Sequence, residues 1–160
     1  MAVEALLIDY HNPRQAADLV ELLSHYAKDP MGGGEELPLQ IKEELIPALQ
    51  SRSHAFSIIC YVDGVAAGLA NCFEGFSTFK CKSLINIHDF VVLDTYRGKG
   101  LSQQLMLKVE EVAQQRECCK ITLEVLEGNH TAQRAYTRFG FENYNLDPAM
   151  GNAMLWQKYL

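Results

Sequence analysis

The chain has 160 residues, 48% of them hydrophobic, and its 14 lysines and arginines against 20 aspartates and glutamates leave a formal net charge of -6. That length supports one well-buried core and is short for two, so residues 1–160 are expected to form a single domain. The negative balance argues against nucleic acid and anionic membrane as partners. No apolar run approaches the ~18 residues of a membrane span, and Met1–Tyr10 lacks the basic start and apolar core of a signal peptide, so a cytoplasmic location is expected.

The charge is unevenly placed. Residues 1–64 hold ten acidic and four basic side chains and so carry all of the -6, while residues 65–160 hold ten of each. A slightly basic stretch from Arg97 to Arg138, with seven basic residues against five acidic, would suit an anionic cofactor, and the acidic first part a cationic acceptor. Surface acids that only aid solubility would look the same. The five cysteines are odd in number and include the adjacent Cys118-Cys119, which is awkward for a disulfide framework. No Cys-x-x-Cys has a partner pair, so no metal site is expected and buried reduced thiols are.

In chain order, Glu4–Tyr10 reads as a first strand. Asn12 caps a helix that has Pro13 at its first position and buries Ala16, Leu19, Val20, Leu23 and Tyr26 through about Ala27. Asp29-Pro30-Met31-Gly32-Gly33-Gly34 forms a loop. Residues 39–51 make a second helix that Pro47 kinks or shortens, with Glu35, Glu36, Glu43 and Glu44 clustered near its start. Acids there could also serve only the helix dipole. Ala55–Val62 and Val65–Phe73 form a hairpin about Asp63-Gly64, the strongest two-residue turn signal. Phe76–Lys82 connects to the next strand.

The stretch from Leu84 to Gln104 is where the chemistry concentrates. Ile85, Ile87, Phe90, Val91, Val92 and Leu93 are nearly continuous apolar residues, as in a strand covered on both faces. Arg97-Gly98-Lys99-Gly100 breaks that pattern. Leu101, Leu105, Val109, Val112 and Ala113 then recur at helical spacing. The first turn of that helix presents unpaired N–H groups beside two glycines and two cations, which suits an anion and in particular a diphosphate. A Walker loop is excluded by spacing, and a dinucleotide fingerprint by Gln103 at the third glycine position.

Further on, Lys120–Leu126 is expected as a strand with Ile121, Leu123 and Val125 alternating. A short helix follows Asn129, and Phe141–Tyr144 and Ala153–Tyr159 are expected as two closing strands. The order mixes hairpins with αβ crossovers, which gives an α/β fold with a mixed sheet and helices on both faces.

Two segments carry a family resemblance. Arg97-Gly98-Lys99-Gly100-Leu101-Ser102 resembles motif A of the GNAT superfamily, the acyl-CoA-dependent N-acyltransferases, with Ser102 in place of the usual Gly or Ala. That hydroxyl would either crowd the diphosphate or donate to it. Asn129-His130-Thr131-Ala132 through Tyr136 to Gly140-Phe141 resembles motif B, which is the more specific of the two. The resemblance implies the GNAT fold, a mixed central β-sheet of about seven strands with helices on both faces, and acetyl-CoA (coenzyme A) as cofactor.

It also implies roles. Arg97, Gly98, Lys99, Gly100, Leu101, Ser102 and Gln103 would cradle the diphosphate, with Asn129 and Ala132 as further cofactor contacts. Phe90, Val91 and Val92 would pair with the pantetheine arm beside a bulge in the central strand, and Tyr136 would protonate the leaving thiolate. Asn129 has two readings, helix cap and cofactor contact, and one side chain can serve both. His88 stands where several polyamine acetyltransferases have Glu in a Glu-Asp-Phe-Phe-Val segment, and imidazole is the side chain that titrates nearest neutrality. His88 or Asp89, directly or through water, would take the amine's proton. Strand alternation puts only one of the two on the acceptor side unless a bulge re-aims Asp89.

In the family the helical excursion between the first two strands borders the acceptor pocket, making Glu35, Glu36, Glu43 and Glu44 candidates for acceptor binding. The resemblance thus points to an N-acetyltransferase for a primary amine of a small, cationic acceptor (a diamine, polyamine or aminoglycoside-like molecule), with a homodimer compatible. The alternatives are a non-catalytic acyl-CoA-binding or sensing domain and a protein N-terminal or lysine acetyltransferase.

Overall fold

The computed structural model describes all residues, 1–160. Its contacts divide the chain into two compact units, Met1–Leu123 and Glu124–Leu160.

The first unit is built on a five-stranded sheet in the order β1 (Val3–Leu7), β2 (Ala55–Val62), β3 (Val65–Ser77), β4 (Lys82–Val92), β5 (Ile121–Leu123). The first four pair antiparallel and β4 pairs parallel with β5, so the sheet is mixed as expected. The β2–β3 turn uses Asp63 at φ 48° and Gly64 at φ 79°, the left-handed pair that matches the twist of a tight hairpin. The β3–β4 ladder runs on to Ser77↔Lys82, so the connection expected over Phe76–Lys82 is shorter than its composition suggested.

Helices α1 (Pro13–Lys28) and α2 (Leu39–Gln50) cover one face, and α3 (Leu101–Gln115) the other. Alternation on β3 fixes which residues look each way. Leu69 packs in a core with Leu19, Leu22, Leu49, Ile59 and Val91, whereas a Cβ on Gly68 would meet Leu105 of α3 at 3.0 Å. All eight residues of β2 are buried, because the strand is covered on both faces. Asn12 caps α1 as expected, its side chain accepting from the Arg14 and Gln15 amides at 3.0 and 3.2 Å. Pro47 does not end α2, which continues to Gln50.

The thiols are all free, but only Cys60 and Cys72 are buried; Cys81 and Cys119 are exposed. No helix is long and apolar enough to cross a membrane.

The second unit holds α4 (His130–Phe139), capped by Asn129 and closed by Gly140 at φ 104°. Phe141 packs its ring 6.0 Å from Tyr136 and 6.4 Å from Phe139. The strands expected at Phe141–Tyr144 and Ala153–Tyr159 do not form, so the sheet has five strands and not about seven. A strand exists only by pairing. The two segments share one backbone bond, Ala153 N to Tyr144 O at 2.8 Å, and Met154-Leu155-Trp156 lacks the alternation that would give a ribbon a buried side. The strand expected over Lys120–Leu126 is likewise cut to Ile121–Leu123. Its ladder with β4 ends at Ile87↔Leu123, where β4 becomes irregular.

Candidate active site

That irregularity organises the site. Along β3 and β4 the register passes from Cys72↔Ile87 to Asn71↔Asp89, so His88 is an extra residue on β4, a β-bulge. Without it Asn71 would oppose His88, and Asp89 would oppose Ala70 on the α3 face. With it, Asp89 joins Asn71 on the α1/α2 face. His88 turns the same way, its ring 5.5 Å from that of Phe73 in an edge-on contact, and Phe73 lies two residues from Asn71. The alternation expected to separate His88 from Asp89 is therefore overridden by the bulge, and both face one side. His88 is exposed and Asp89 half-buried.

Behind Asp89 runs a line of hydrogen bonds into the core. Asn71 Nδ2 donates to Asp89 Oδ2 at 3.1 Å, Ser57 Oγ donates to Asn71 Oδ1 at 2.6 Å, and Tyr10 Oη lies 2.8 Å from Ser57 Oγ. Ser57 and Asn71 are 0% and 3% exposed. The sequence reading passed over all three. The available signal was one polar residue inside each apolar run, Ser57 in Ala-Phe-Ser-Ile-Ile and Asn71 in Leu-Ala-Asn-Cys-Phe. Tyr26, near the end of α1, packs against the same core as Leu69 and Val91; burial raises its phenol, and the charges of Asp89 and Asp29 raise it further.

The glycine turn follows β4. Gly98 and Gly100 sit at φ 75° and 81°, where a Cβ would be strained, and a Cβ on either would project into open space. Gly100 caps α3 without a side-chain bond, and the first intrahelical bond is from Gln104 N to Gly100 O. The amides of Leu101, Ser102 and Gln103 thus open α3 with no helical acceptor. Lys99 reaches over the Tyr96 ring, Nζ 5.2 Å from its centre. Arg97 is tied down by Asp94 at 2.9 Å and Asp29 at 3.7 Å, and its Nε donates to Val92 O at 3.4 Å. Val91 packs its side chain into the core with Leu69, which leaves only its backbone for a ligand; Phe90 and Val92 are half-buried.

The glutamates of the α2 region differ in their partners. Glu36 bonds to Lys42 at 2.9 Å and pairs with Lys28 at 3.5 Å, and these cations hold its carboxyl below the usual range, Lys42 first. Glu44 accepts from Gln40 at 2.9 Å, and Glu35 and Glu43 are exposed. A groove of about 640 Å³ between α1 and α2 is lined by Glu36, Lys28, Lys42, Glu21 and His25 among others, with no residue of β4. It does not bring these glutamates together with His88 and Asp89. In the second unit, Asn129 Oδ1 accepts from the Ala132 amide at 3.2 Å, so the capping reading of Asn129 holds, and Tyr136 and Ala132 share one half-buried face of α4.

Residues 17–141 match the family model described as Acetyltransferase (GNAT) family. An uncharacterised N-acetyltransferase of Archaeoglobus fulgidus is 35% identical over 89 residues, covering 55% of this chain and 60% of that protein. The spermine/spermidine N(1)-acetyltransferase of Bacillus subtilis is 37% identical over 60 residues, covering 36% and 40%. The chain thus spans 60% or less of the length of these relatives. A solved structure of AAC(6')-Iy in complex with the bisubstrate analogue CoA-S-monomethyl-acetylneamine covers both chains in full (100%) with a TM-score of 0.76 at 18% identity, a likeness of fold.

Proposed function

The chain belongs to the GNAT acetyltransferase family, and on that premise we propose that it moves an acetyl group from acetyl-CoA to a primary amine of a small cationic acceptor, by direct attack in a ternary complex. The observation that carries this reading is the bulge, which sets His88 and Asp89 on one face of the strand that feeds the glycine turn.

The turn suits the cofactor. Three consecutive helix-start amides, two glycines whose missing Cβ atoms leave the approach open, and Lys99 and Arg97 beside them meet the needs of a diphosphate. Acetyl-CoA supplies the activated acyl group as a thioester.

Asp89 holds the acceptor's ammonium, and His88 takes its proton, because an aliphatic amine with a pKa near ~10 is almost wholly protonated at neutral pH. The freed amine attacks the thioester carbon. The C–N bond forms as the C–S bond breaks, the sulfur takes a proton from the Tyr136 hydroxyl, and the second proton lost by the attacking nitrogen passes to water, from which the phenolate regains its own. The motif around Tyr136 carries that last assignment. Glu35, Glu43 and Glu44, which lack the lysine partners of Glu36, would attract a further positive group on the acceptor. The names of the B. subtilis relative and of the neamine analogue, both amine-rich compounds, support such an acceptor.

The test is a thiol-release assay with acetyl-CoA over a panel of diamines, polyamines, aminoglycosides, amino acids and peptide N-termini. Release with cationic small amines is expected. CoA-dependent thermal stabilisation without release for any amine would instead make this a binding domain, and release with peptides alone a protein acetyltransferase.

A further inference from the structure

We propose that Tyr10, Ser57 and Asn71 are positioning residues that hold the Asp89 carboxylate in one orientation for the acceptor, through a one-way line of hydrogen bonds. This rests on the acetyltransferase reading only for the identity of what Asp89 receives.

The direction of the line follows from its donors. Ser57 has a single hydroxyl proton and gives it to Asn71 Oδ1 at 2.6 Å, so the 2.8 Å contact with Tyr10 must be donated by the phenol. Ser57 thereby fixes which end of the Asn71 amide faces it. The amide's Nδ2 is left pointing at Asp89 Oδ2, 3.1 Å away, which accepts. Every proton in the line is donated toward the carboxylate. Reversing the amide would set its oxygen against a carboxylate oxygen, so the line selects one amide orientation and leaves Oδ1 of Asp89 as the oxygen outside it.

Packing alone does not call for this arrangement. Ser57 and Asn71 are almost wholly enclosed in an otherwise apolar sheet interior, with Ile58, Ile59, Leu69 and Ala70 within two residues along the strands at 0% exposure. Apolar residues of similar shape at both positions would fold as well or better, since a buried polar pair adds little net stability. The bulge points the same way, because the extra residue His88 is what brings Asp89 opposite Asn71. Two separate features, the register shift and the buried polar line, converge on one carboxylate beside the proposed base. Tyr10 ties the line to the segment that leads into α1, so its far end is anchored outside the sheet.

The experiment has two arms. In the first, the side-chain amide protons of Asn71 are followed by NMR in the free protein, which needs no substrate. Wild type should show one Asn71 proton protected from exchange and shifted by its carboxylate acceptor, and Ser57→Ala and Asp89→Asn should each abolish that signature. If wild type lacks it, or Ser57→Ala leaves it intact, the line does not orient Asp89 and the proposal fails. In the second arm, Ser57→Ala and Tyr10→Phe are measured in wild-type and Asp89→Asn backgrounds. Ser57→Ala should lower kcat/KM for the best amine by about tenfold or more in wild type, the scale of a weakened bond to a charged group, and cause almost no further loss in Asp89→Asn. Tyr10→Phe should act in the same direction and less. Equal losses in both backgrounds would make Ser57 merely structural and overturn the proposal. Absence of turnover in wild type would sink the acetyltransferase reading, and the amide signature would then judge the line by itself.

Discussion

Asn71 and Asp89 face each other across the β3–β4 ladder, Nδ2 to Oδ2 at 3.1 Å, only because β4 carries one residue more than β3 between Ile87 and Asp89. The amide is 3% exposed and serves two partners at once. Asn71→Leu should therefore destabilise the fold by roughly 1–3 kcal/mol, since the Ser57 hydroxyl loses its acceptor inside the core and a carboxylate loses its donor. Adding Ser57→Ala should recover part of that loss by removing the stranded hydroxyl. Urea midpoints of the three variants check this, and a double variant as unstable as the sum of the singles would show that the two residues do not share a bond.

Arg97 stands between two carboxylates and the open end of α3. Its partners Asp94 and Asp29, at 2.9 and 3.7 Å, hold the guanidinium at the turn without burying it. Arg97→Glu would place a third carboxylate there, and the thermal stabilisation given by coenzyme A should largely vanish. Gly100→Ala probes the backbone of the same turn. At φ 81° an alanine should cost about 1–2 kcal/mol of stability and also reduce the cofactor shift, because a residue that disfavours this backbone angle loosens the turn that presents the amides. Undiminished shifts in both variants would move the diphosphate elsewhere.

Most of the first unit was legible in the sequence because its signals are local. Asn12-Pro13, Asp63-Gly64 and the spacing of Leu101, Leu105 and Val109 each specify a cap, a turn or a buried stripe within a few residues. The bulge was not legible as a position, since no residue in Ile-Asn-Ile-His-Asp-Phe requires it; register is decided by the partner strand. The polar line was missed for a related reason, as Tyr10, Ser57, Asn71 and Asp89 meet only once four separate segments are assembled. The closing strands were over-read. Ala-Met-Leu-Trp-Gln-Lys-Tyr has strand-forming residues, but propensity without a partner gives no ladder, and Met154, Leu155 and Trp156 remain exposed.

Alkaline solution should weaken the fold. Burial pushes the Cys72 thiol up from 9.0 to about 12, with the charge of Asp89 adding and Arg116 opposing, and burial also raises Tyr10 and Tyr26. These groups keep their protons in the native state where the unfolded chain has released them. For Cys72, stability is therefore fully present below the unfolded value of 9.0 and is lost as pH climbs toward about 12, by up to about 1.4 kcal/mol per pH unit, and the two part-exposed tyrosines act in the same direction. Urea melts across that range should show the decline, and Cys72→Ala should make it shallower. A flat profile above pH 9.0 would contradict the burial of this thiol.

Tyr136 offers a cleaner separation of fold from chemistry. Its ring packs 6.0 Å from Phe141 at the capped end of α4, and Tyr136→Phe keeps that ring. Melting temperature and coenzyme A affinity should hold while turnover falls about tenfold to a thousandfold, if the hydroxyl protonates the departing sulfur. Full turnover in the variant would return Tyr136 to a packing role.

The acidic first part of the chain yields the sharpest test of acceptor charge, because its glutamates are not equivalent. Glu36 is already neutralised by Lys42 and Lys28, whereas Glu35 and Glu43 stand exposed without a paired cation. A diamine attracted by the unpaired acids should feel Glu35→Gln and Glu43→Gln as a rise in KM, and Glu36→Gln less, since the carboxylate of Glu36 is already engaged by Lys42 and Lys28 and is not free to hold an ammonium. The attraction is between exposed charges, so raising ionic strength should lower kcat/KM for diamines and flatten the difference among the three variants. Diamines should also outperform monoamines of equal length. If Glu36→Gln raised KM as much as the others, or if salt had no effect, the groups that recognise the acceptor would lie elsewhere, with Asp89 the first to be tested by Asp89→Asn.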